Sequence, residues 1–95
     1  MKIVFTELAV KELNETHSFY ELEMEGLGEE FSKEMVRVTK RIAKFPEAYP
    51  ITKNDIRKCV VRKFPYNLFY TIEKDFILIL SIAHQHRRPF YWVNK

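Results

Sequence analysis

The sequence has few glycines, one cysteine and no long hydrophobic segment, and each shortage excludes a class of function. Its 95 residues include two glycines and a single cysteine, Cys59. One thiol forms no intrachain disulfide, and a lone cysteine without a nearby cysteine partner is a poor metal ligand. Two glycines leave no Gly-rich phosphate loop, and neither a serine triad nor a pair of catalytic carboxylates is visible. We therefore expect no cofactor and predict that Cys59 is a small buried residue.

Signals for export and for membrane insertion are also missing. The first ten residues, MKIVFTELAV, lack the apolar core of a signal peptide. The longest apolar run covers residues 76–83 and is far shorter than the roughly 20 residues that span a bilayer. The sequence therefore predicts a cytoplasmic protein without a membrane partner.

Hydrophobic residues are plentiful, but charge is unevenly distributed. The chain is 46% hydrophobic and 15% aromatic, which suits a core in a single domain over residues 1–95. Residues 1–45 hold seven basic and nine acidic side chains, whereas residues 46–95 hold nine basic and four acidic, so the net charges are −2 and +5. A basic C-terminal part favours an anionic partner, either nucleic acid or an acidic protein segment.

Hydrophobic periodicity predicts an α+β fold. Residues 7–24 and 27–45 show helical spacing, and Gly26-Leu27-Gly28 separates them, which predicts a helical hairpin. Strands are predicted at residues 2–5, 56–64, 66–72 and 76–83. The order β-α-α-β-β-β predicts a helical hairpin packed on a small, mostly antiparallel sheet.

Basic side chains cluster in and after the predicted strands. They are Arg57, Lys58, Arg62, Lys63, Arg87 and Arg88. Because side chains alternate across a strand, Arg57 and Lys63 would share one face of a strand over 56–64, and Lys58 and Arg62 the other. Two interpretations stay open: the cations protect an edge strand from unwanted pairing, or they bind phosphate or an acidic partner.

The segment HQHRRPFYW, residues 84–92, follows the last predicted strand. His84 is expected to end that strand, and Pro89, Phe90 and Trp92 to fold back and pin the tail. His84 and His86 would point the same way in an extended segment, but no third ligand follows at metal-binding spacing. We therefore predict no metal site there.

The same segment contains the groups that metal-free RNA cleavage requires. That reaction needs a base for the 2′-hydroxyl, an acid for the leaving oxygen and cations for the phosphorane. The candidate catalytic residues are His86, Arg87, Tyr91, Arg57 and Arg62. The alternative hypothesis assigns the six clustered cations to binding alone, with the aromatic residues anchoring the tail or stacking on bases.

Taken together, the chain resembles the RelE/ParE superfamily of bacterial toxins from type II toxin–antitoxin modules, over nearly its full length. In the helical part the resemblance rests on Ala9, Leu13, Phe19-Tyr20-Glu21, Gly26-Leu27-Gly28, Phe31 and Ile42. In the remainder it rests on Pro46, Pro50, Ile56-Arg57, Lys63-Phe64-Pro65-Tyr66, Phe69-Tyr70, His84, Arg87-Arg88-Pro89 and Tyr91-Trp92.

The resemblance implies a growth-inhibiting toxin that a cognate antitoxin neutralises in a hetero-oligomer. We expect an amphipathic antitoxin segment along the helical hairpin and a sheet edge, with acidic side chains opposite the basic part. RelE-like members cleave mRNA on the ribosome, whereas ParE-like members poison DNA gyrase and lack the catalytic set. Gly26-Leu27-Gly28 and Phe64-Pro65-Tyr66 resemble the ParE-like side, and only Lys53 and Lys58 stand where RelE-like members often carry many lysines.

The resemblance leaves three mechanisms open. The leading prediction is a ParE-like toxin that binds gyrase. The alternative is a RelE-like mRNA endonuclease that uses the catalytic residues named above. The third is a relative that only binds its antitoxin.

Overall fold

The computed structural model of the chain describes residues 1–88 and 90–92. Within these residues, two helices and five strands follow one another. They are β1 (Lys2–Phe5), α1 (Glu7–Glu23), α2 (Leu27–Lys44), β2 (Ile51–Lys53), β3 (Ile56–Val60), β4 (Tyr66–Ile72) and β5 (Phe76–His84). The sheet order is β1-β5-β4-β3-β2, with β1 parallel to β5 and the other neighbouring pairs antiparallel.

The helical hairpin forms where the sequence supplies a cap and a turn. The Thr6 hydroxyl accepts a hydrogen bond from the Ala9 amide at 3.1 Å and so caps α1. Gly26 has φ +88°, a left-handed conformation that glycine adopts without a steric penalty. A Cβ on Gly28 would lie 2.4 Å from the His17 carbonyl oxygen, so only glycine allows α1 and α2 to approach this closely. Neither described helix is long and apolar enough to cross a membrane.

One face of the sheet, here called the inner face, packs against the helices. The apolar stripe of α2, with Phe31 and Met35 at its centre, contacts Leu68, Tyr70 and other inner-face residues in one buried cluster. The Cys59 thiol belongs to this cluster and its burial raises its pKa, which confirms the prediction of a small buried residue. The opposite, outer face carries the side chains that alternate with these. Cross-strand register places Lys58, Phe69 and Ser81 in one row, and Asn67 beside Ala83 in the next.

The α+β class and the packing of a helical hairpin on a sheet are confirmed, but the strands differ in two details. The sheet has an additional edge strand, β2, whose three residues are too few to show a periodic pattern. The strand predicted over residues 56–64 is β3, which ends at Val60 and not at Phe64. The chain leaves the sheet there because the Phe64 ring packs against Tyr20 and Phe31, with centroids 5.0 and 5.3 Å away.

These differences change the positions predicted for the cations. Arg62 and Lys63 lie exposed in the loop between β3 and β4, so they do not alternate with Arg57 and Lys58 across a strand. β3 is paired on both sides, and the edge belongs to β2. The interpretation of β3 as a protected edge strand is therefore wrong.

A bulge in β5 shapes the opposite end of the sheet. Phe69 pairs with Ser81 and Tyr70 with Ile79, so Leu80 is an extra residue in β5. β1 ends opposite Ile79, and β5 continues beyond it to His84, where the sequence predicted its end. Beyond Ile79 the backbone of β5 is met by side chains that precede or belong to α1: Thr6 donates to the Leu80 carbonyl, and Glu12 accepts from the Ile82 amide.

Candidate functional site

The candidate site lies on the outer face, where the C-terminal segment folds over the sheet. The rings of Phe90 and Trp92 pack on Phe69 with centroids 5.4 and 5.7 Å away, as the sequence predicted for a pinned tail. Pro89, the third predicted anchor, lies outside the described residues. The three residues Phe90–Trp92 are called the aromatic strap below.

Between the aromatic strap and the sheet is a cavity of about 150 Å³. It is lined by Thr52, Lys58, Asn67, Phe69, Ala83, His84, Gln85, Arg87, Arg88 and the strap.

Three of the six predicted cations meet at this cavity. Lys58 projects from β3 on the outer face, while Arg87 and Arg88 are exposed where the chain leaves β5. The Arg87 guanidinium lies over the Tyr91 ring at 3.9 Å from its centroid, a cation–π contact that holds the charge beside the strap. The cavity thus has an aromatic lining and a positively charged rim.

The other three predicted cations lie elsewhere. Arg57 shares the inner face with Tyr70 and donates hydrogen bonds to the carbonyls of Glu47 and Tyr49, at 3.3 and 2.7 Å. Its guanidinium therefore fastens the loop after α2. Arg62 and Lys63 stand in the β3–β4 loop and do not line the cavity.

Two polar atoms at the cavity are buried without a hydrogen-bond partner among the described residues. They are the Oδ1 atom of Asn67 and the indole Nε1 of Trp92. Leaving such a group unsatisfied costs about 1–3 kcal/mol. The closed strap therefore leaves one acceptor and one donor that a ligand or partner atom could satisfy.

The strap is held by Glu12 of α1. One oxygen of the Glu12 carboxylate accepts from the Ser81 hydroxyl at 2.9 Å and from the Ile82 amide at 2.8 Å. The other accepts from the Tyr91 hydroxyl. A single carboxylate therefore joins three elements: the first helix, the open edge of β5 and the strap.

Burial and the contact with Glu12 both favour the protonated form of Tyr91. Burial, followed by the hydrogen bond to Glu12, raises the pKa of Tyr91 to about 12. At neutral pH the phenol is protonated and its proton is donated to Glu12. In this arrangement the phenol proton is directed at Glu12 and not at the cavity.

Of the two histidines, His84 lines the cavity and His86 packs beside it. His84 Nδ1 accepts from the backbone amide of His86 at 3.1 Å, and the His84 ring packs edge-on against Tyr66. His86 itself is exposed in the turn that follows β5. In residues 1–88 and 90–92, no three His, Cys, Asp or Glu side chains lie close enough together to hold a metal ion.

Sequence reasoning missed Glu12, Asn67 and Phe69. Asn67 and Phe69 could have been found from strand alternation, since they alternate along β4 with the inner-face residues Leu68 and Tyr70 and therefore lie on the outer face. Glu12 carried no signal, because an acidic residue on an amphipathic helix ordinarily faces solvent.

Comparison with known proteins identifies the family. Residues 3–89 match the family model described as the ParE toxin of the type II toxin–antitoxin system parDE. The chain belongs to the ParE toxin family. No curated protein matches it closely enough to count as a relative.

Solved structures of toxin–antitoxin proteins share the fold. A chain from the chromosomal ParDE toxin–antitoxin system of P. aeruginosa is 16% identical, with a TM-score of 0.66, and the match covers 88% of this chain and 95% of that one. A chain of the intact E. coli RelBE complex is 20% identical, with a TM-score of 0.68 and coverage of 90% and 98%. The isolated E. coli RelE toxin is 21% identical, with a TM-score of 0.67 and coverage of 96% and 90%.

Proposed function

We propose that this ParE-family toxin arrests growth by binding DNA gyrase and not by cleaving mRNA. The observation that carries the proposal is the hydrogen bond from Tyr91 to Glu12, because in the closed strap it turns the phenol proton away from a substrate. A second residue of the predicted catalytic set, Arg57, is bound to loop carbonyls on the opposite face of the sheet. The remaining groups supply positive charge and aromatic surface, which suit binding. Since gyrase acts on chromosomal DNA, the proposal includes a cytoplasmic location.

A ribosome-dependent endonuclease is the second candidate, and one observation favours it. Arg87, Lys58 and His84 line a single cavity, and the His86 ring lies 5.4 Å from the His84 ring, so cations and an imidazole pair do converge. For this function the Tyr91 hydroxyl would have to leave Glu12, or His86 would have to serve as both acid and base.

A cognate antitoxin is the proposed partner that neutralises the toxin. The helical hairpin exposes large apolar side chains on α1 and just after it: Leu22 is 88% exposed, Phe19 55% and Met24 61%. A group of exposed apolar residues of this kind favours a binding surface. We propose that an amphipathic antitoxin segment covers it and continues to the basic outer face with acidic side chains.

Supercoiling of relaxed plasmid by purified gyrase tests the first proposal. Added toxin is expected to inhibit supercoiling, and Arg87→Ala is expected to weaken inhibition because it removes a cation from the cavity rim. Lys40→Ala is the matched control, since Lys40 is an exposed cation on α2, which packs on the inner face of the sheet, away from the cavity. Unchanged supercoiling at toxin concentrations that arrest cells would overturn the gyrase proposal.

A further inference from the structure

The aromatic strap is held in a conformation that its own sequence disfavours. Phe90 has φ +55°, in the left-handed region where a bulky side chain meets its backbone. The closed strap also leaves Asn67 Oδ1 and Trp92 Nε1 without partners among the described residues. The backbone of Phe90 and the two unpartnered polar atoms are three unfavourable features in the strap and the strand beneath it. Other contacts must offset their cost.

Those contacts are few and can be named. Phe90 and Trp92 pack on Phe69 and on each other, and Tyr91 donates to Glu12. Two cation–π contacts add to these, Lys53 over the Phe90 ring and Arg87 over the Tyr91 ring. Ring packing tolerates a range of geometries, whereas the bond to Glu12 joins one hydroxyl to one carboxylate oxygen and fixes the strap at one point. Glu12 is itself fixed by Ser81 and the Ile82 amide, so its carboxylate is already in place when the strap closes.

We propose that Glu12 is the latch of a two-state strap: its carboxylate seats Tyr91, and release of Tyr91 opens the outer face of the sheet. Opening exposes Phe69 and Lys58, frees the Tyr91 hydroxyl and relaxes the left-handed backbone at Phe90. Glu12 is in this sense a positioning residue, which acts on the site through Tyr91. The inference concerns the free chain and does not depend on which target the toxin meets.

Trp92 reports the state of the strap directly, because it is the only tryptophan in the chain. Acrylamide quenching of its fluorescence is compared in the unmodified protein, in Glu12→Gln and in Tyr91→Phe. Both variants are expected to raise the quenching constant severalfold. Glu12→Gln keeps an acceptor for Ile82, and Tyr91→Phe leaves the helix–strand contact intact, so at least one variant keeps the fold.

Glu15→Gln is the matched control, since Glu15 is an exposed glutamate on the same helix. It is expected to leave quenching unchanged. The double variant Glu12→Gln/Tyr91→Phe is expected to quench like the single variants, because both remove the same hydrogen bond. Unchanged quenching in both single variants, or independent effects that add in the double variant, would overturn the latch.

Lysine acetylation measured by mass spectrometry tests access to the outer face. Lys58 lines the cavity under the strap, whereas Lys63 is exposed in the loop and serves as a control within the same molecule. The ratio of Lys58 to Lys63 modification is expected to rise in Tyr91→Phe and in Glu12→Gln. An unchanged ratio, together with a more exposed Trp92, would contradict the claim that the strap covers this face.

Discussion

The two faces of the sheet belong to the same strands but differ in how well their buried polar groups are hydrogen-bonded. On the inner face, apolar side chains meet the helices, and even the buried phenol of Tyr70 finds a partner, the Pro46 carbonyl at 2.6 Å. On the outer face, buried polar atoms of Asn67 and Trp92 lack partners among the described residues, and Phe90 is strained. The comparison indicates that the inner face supplies stability, while the outer face keeps groups available for a partner.

The sharpest test of this comparison removes one phenylalanine from each side of the sheet, Phe31 of α2 on the inner side and Phe69 of β4 on the outer side. Phe31 is fully buried among the rings of Tyr20, Phe64 and Tyr66, so Phe31→Ala is expected to lower the free energy of unfolding by about 3–5 kcal/mol. Phe69→Ala is expected to cost about 2 kcal/mol or less, because the strap can settle into the space. Urea denaturation measures both. Equal losses would remove the proposed difference between the faces.

The next largest effect concerns Tyr70 and Tyr91, the two tyrosines with the most strongly raised pKa values. Burial is the main cause at both residues, and it raises the pKa of Tyr70 and of Tyr91 to about 12. Tyr70→Phe is expected to lower stability by about 1–2 kcal/mol, since it leaves the Pro46 carbonyl without its donor. Tyr91→Phe should cost less, because opening the strap relieves strain. Thermal unfolding of both variants gives the order, and a larger loss in Tyr91→Phe would contradict it.

The same tyrosines predict how stability depends on alkaline pH. An unfolded tyrosine ionises near pH 10, whereas these two stay protonated to about pH 12 in the fold. Their contribution to stability is therefore complete below pH 10 and is lost as the pH rises from 10 to 12. Denaturation at a series of pH values should show this decline. Each Tyr→Phe variant should make the decline in stability with pH shallower. An unchanged slope in both variants would contradict the assignment of this decline to Tyr70 and Tyr91.

A smaller effect is expected at acid pH in the helical hairpin. The Glu21 carboxylate accepts from the Gly26 and Gly28 amides, and these bonds, with that to Gly26 the stronger, lower its pKa below the ordinary 4.5. Its contribution is present above that value and is lost as the pH falls through the lower pKa of the folded state. Glu21→Gln should remove this part of the acid transition. Glu23→Gln is the control, because Glu23 is an exposed glutamate on the same helix.

The smallest effect on stability, and the largest contrast in function, is expected at the arginines. Arg87→Ala should change the free energy of unfolding by less than about 0.5 kcal/mol, because its side chain is exposed. It should nevertheless weaken growth arrest. Arg57→Ala should destabilise the chain through the lost bonds to the Glu47 and Tyr49 carbonyls. Growth assays and denaturation curves on the same variants separate the role in growth arrest from the role in stability. If Arg57→Ala weakened growth arrest without destabilising the chain, the functional cation would lie on the inner face.

Much of the fold could be predicted from the sequence, because most helices and strands are long enough to show a clear hydrophobic periodicity. The apolar stripe of α2 and the alternation in β4 gave both helix and strand correctly. β2 was missed because three residues show no period, although Asn54-Asp55 is a plausible two-residue turn before β3.

The candidate site was only partly predictable. Clustering of Arg87 and Arg88 with the strap follows from their adjacency in the chain, and Lys58 joins them through the strand register. The contact between Glu12 and Tyr91 joins residues 79 positions apart, and no local pattern encodes such a contact. The loop position of Arg62 and Lys63 depends on where Phe64 packs, which is a tertiary effect that overrides the strand pattern.

We propose that the basic outer face binds gyrase and does not cleave RNA. To test this, the chain is induced without an antitoxin in bacterial cells, and abundant transcripts are followed by primer extension alongside plasmid topology in the same cultures. Intact transcripts and disturbed supercoiling are expected in arrested cells. Discrete new cuts within translated codons, with normal plasmid supercoiling, would contradict the proposal and assign the chain to mRNA cleavage.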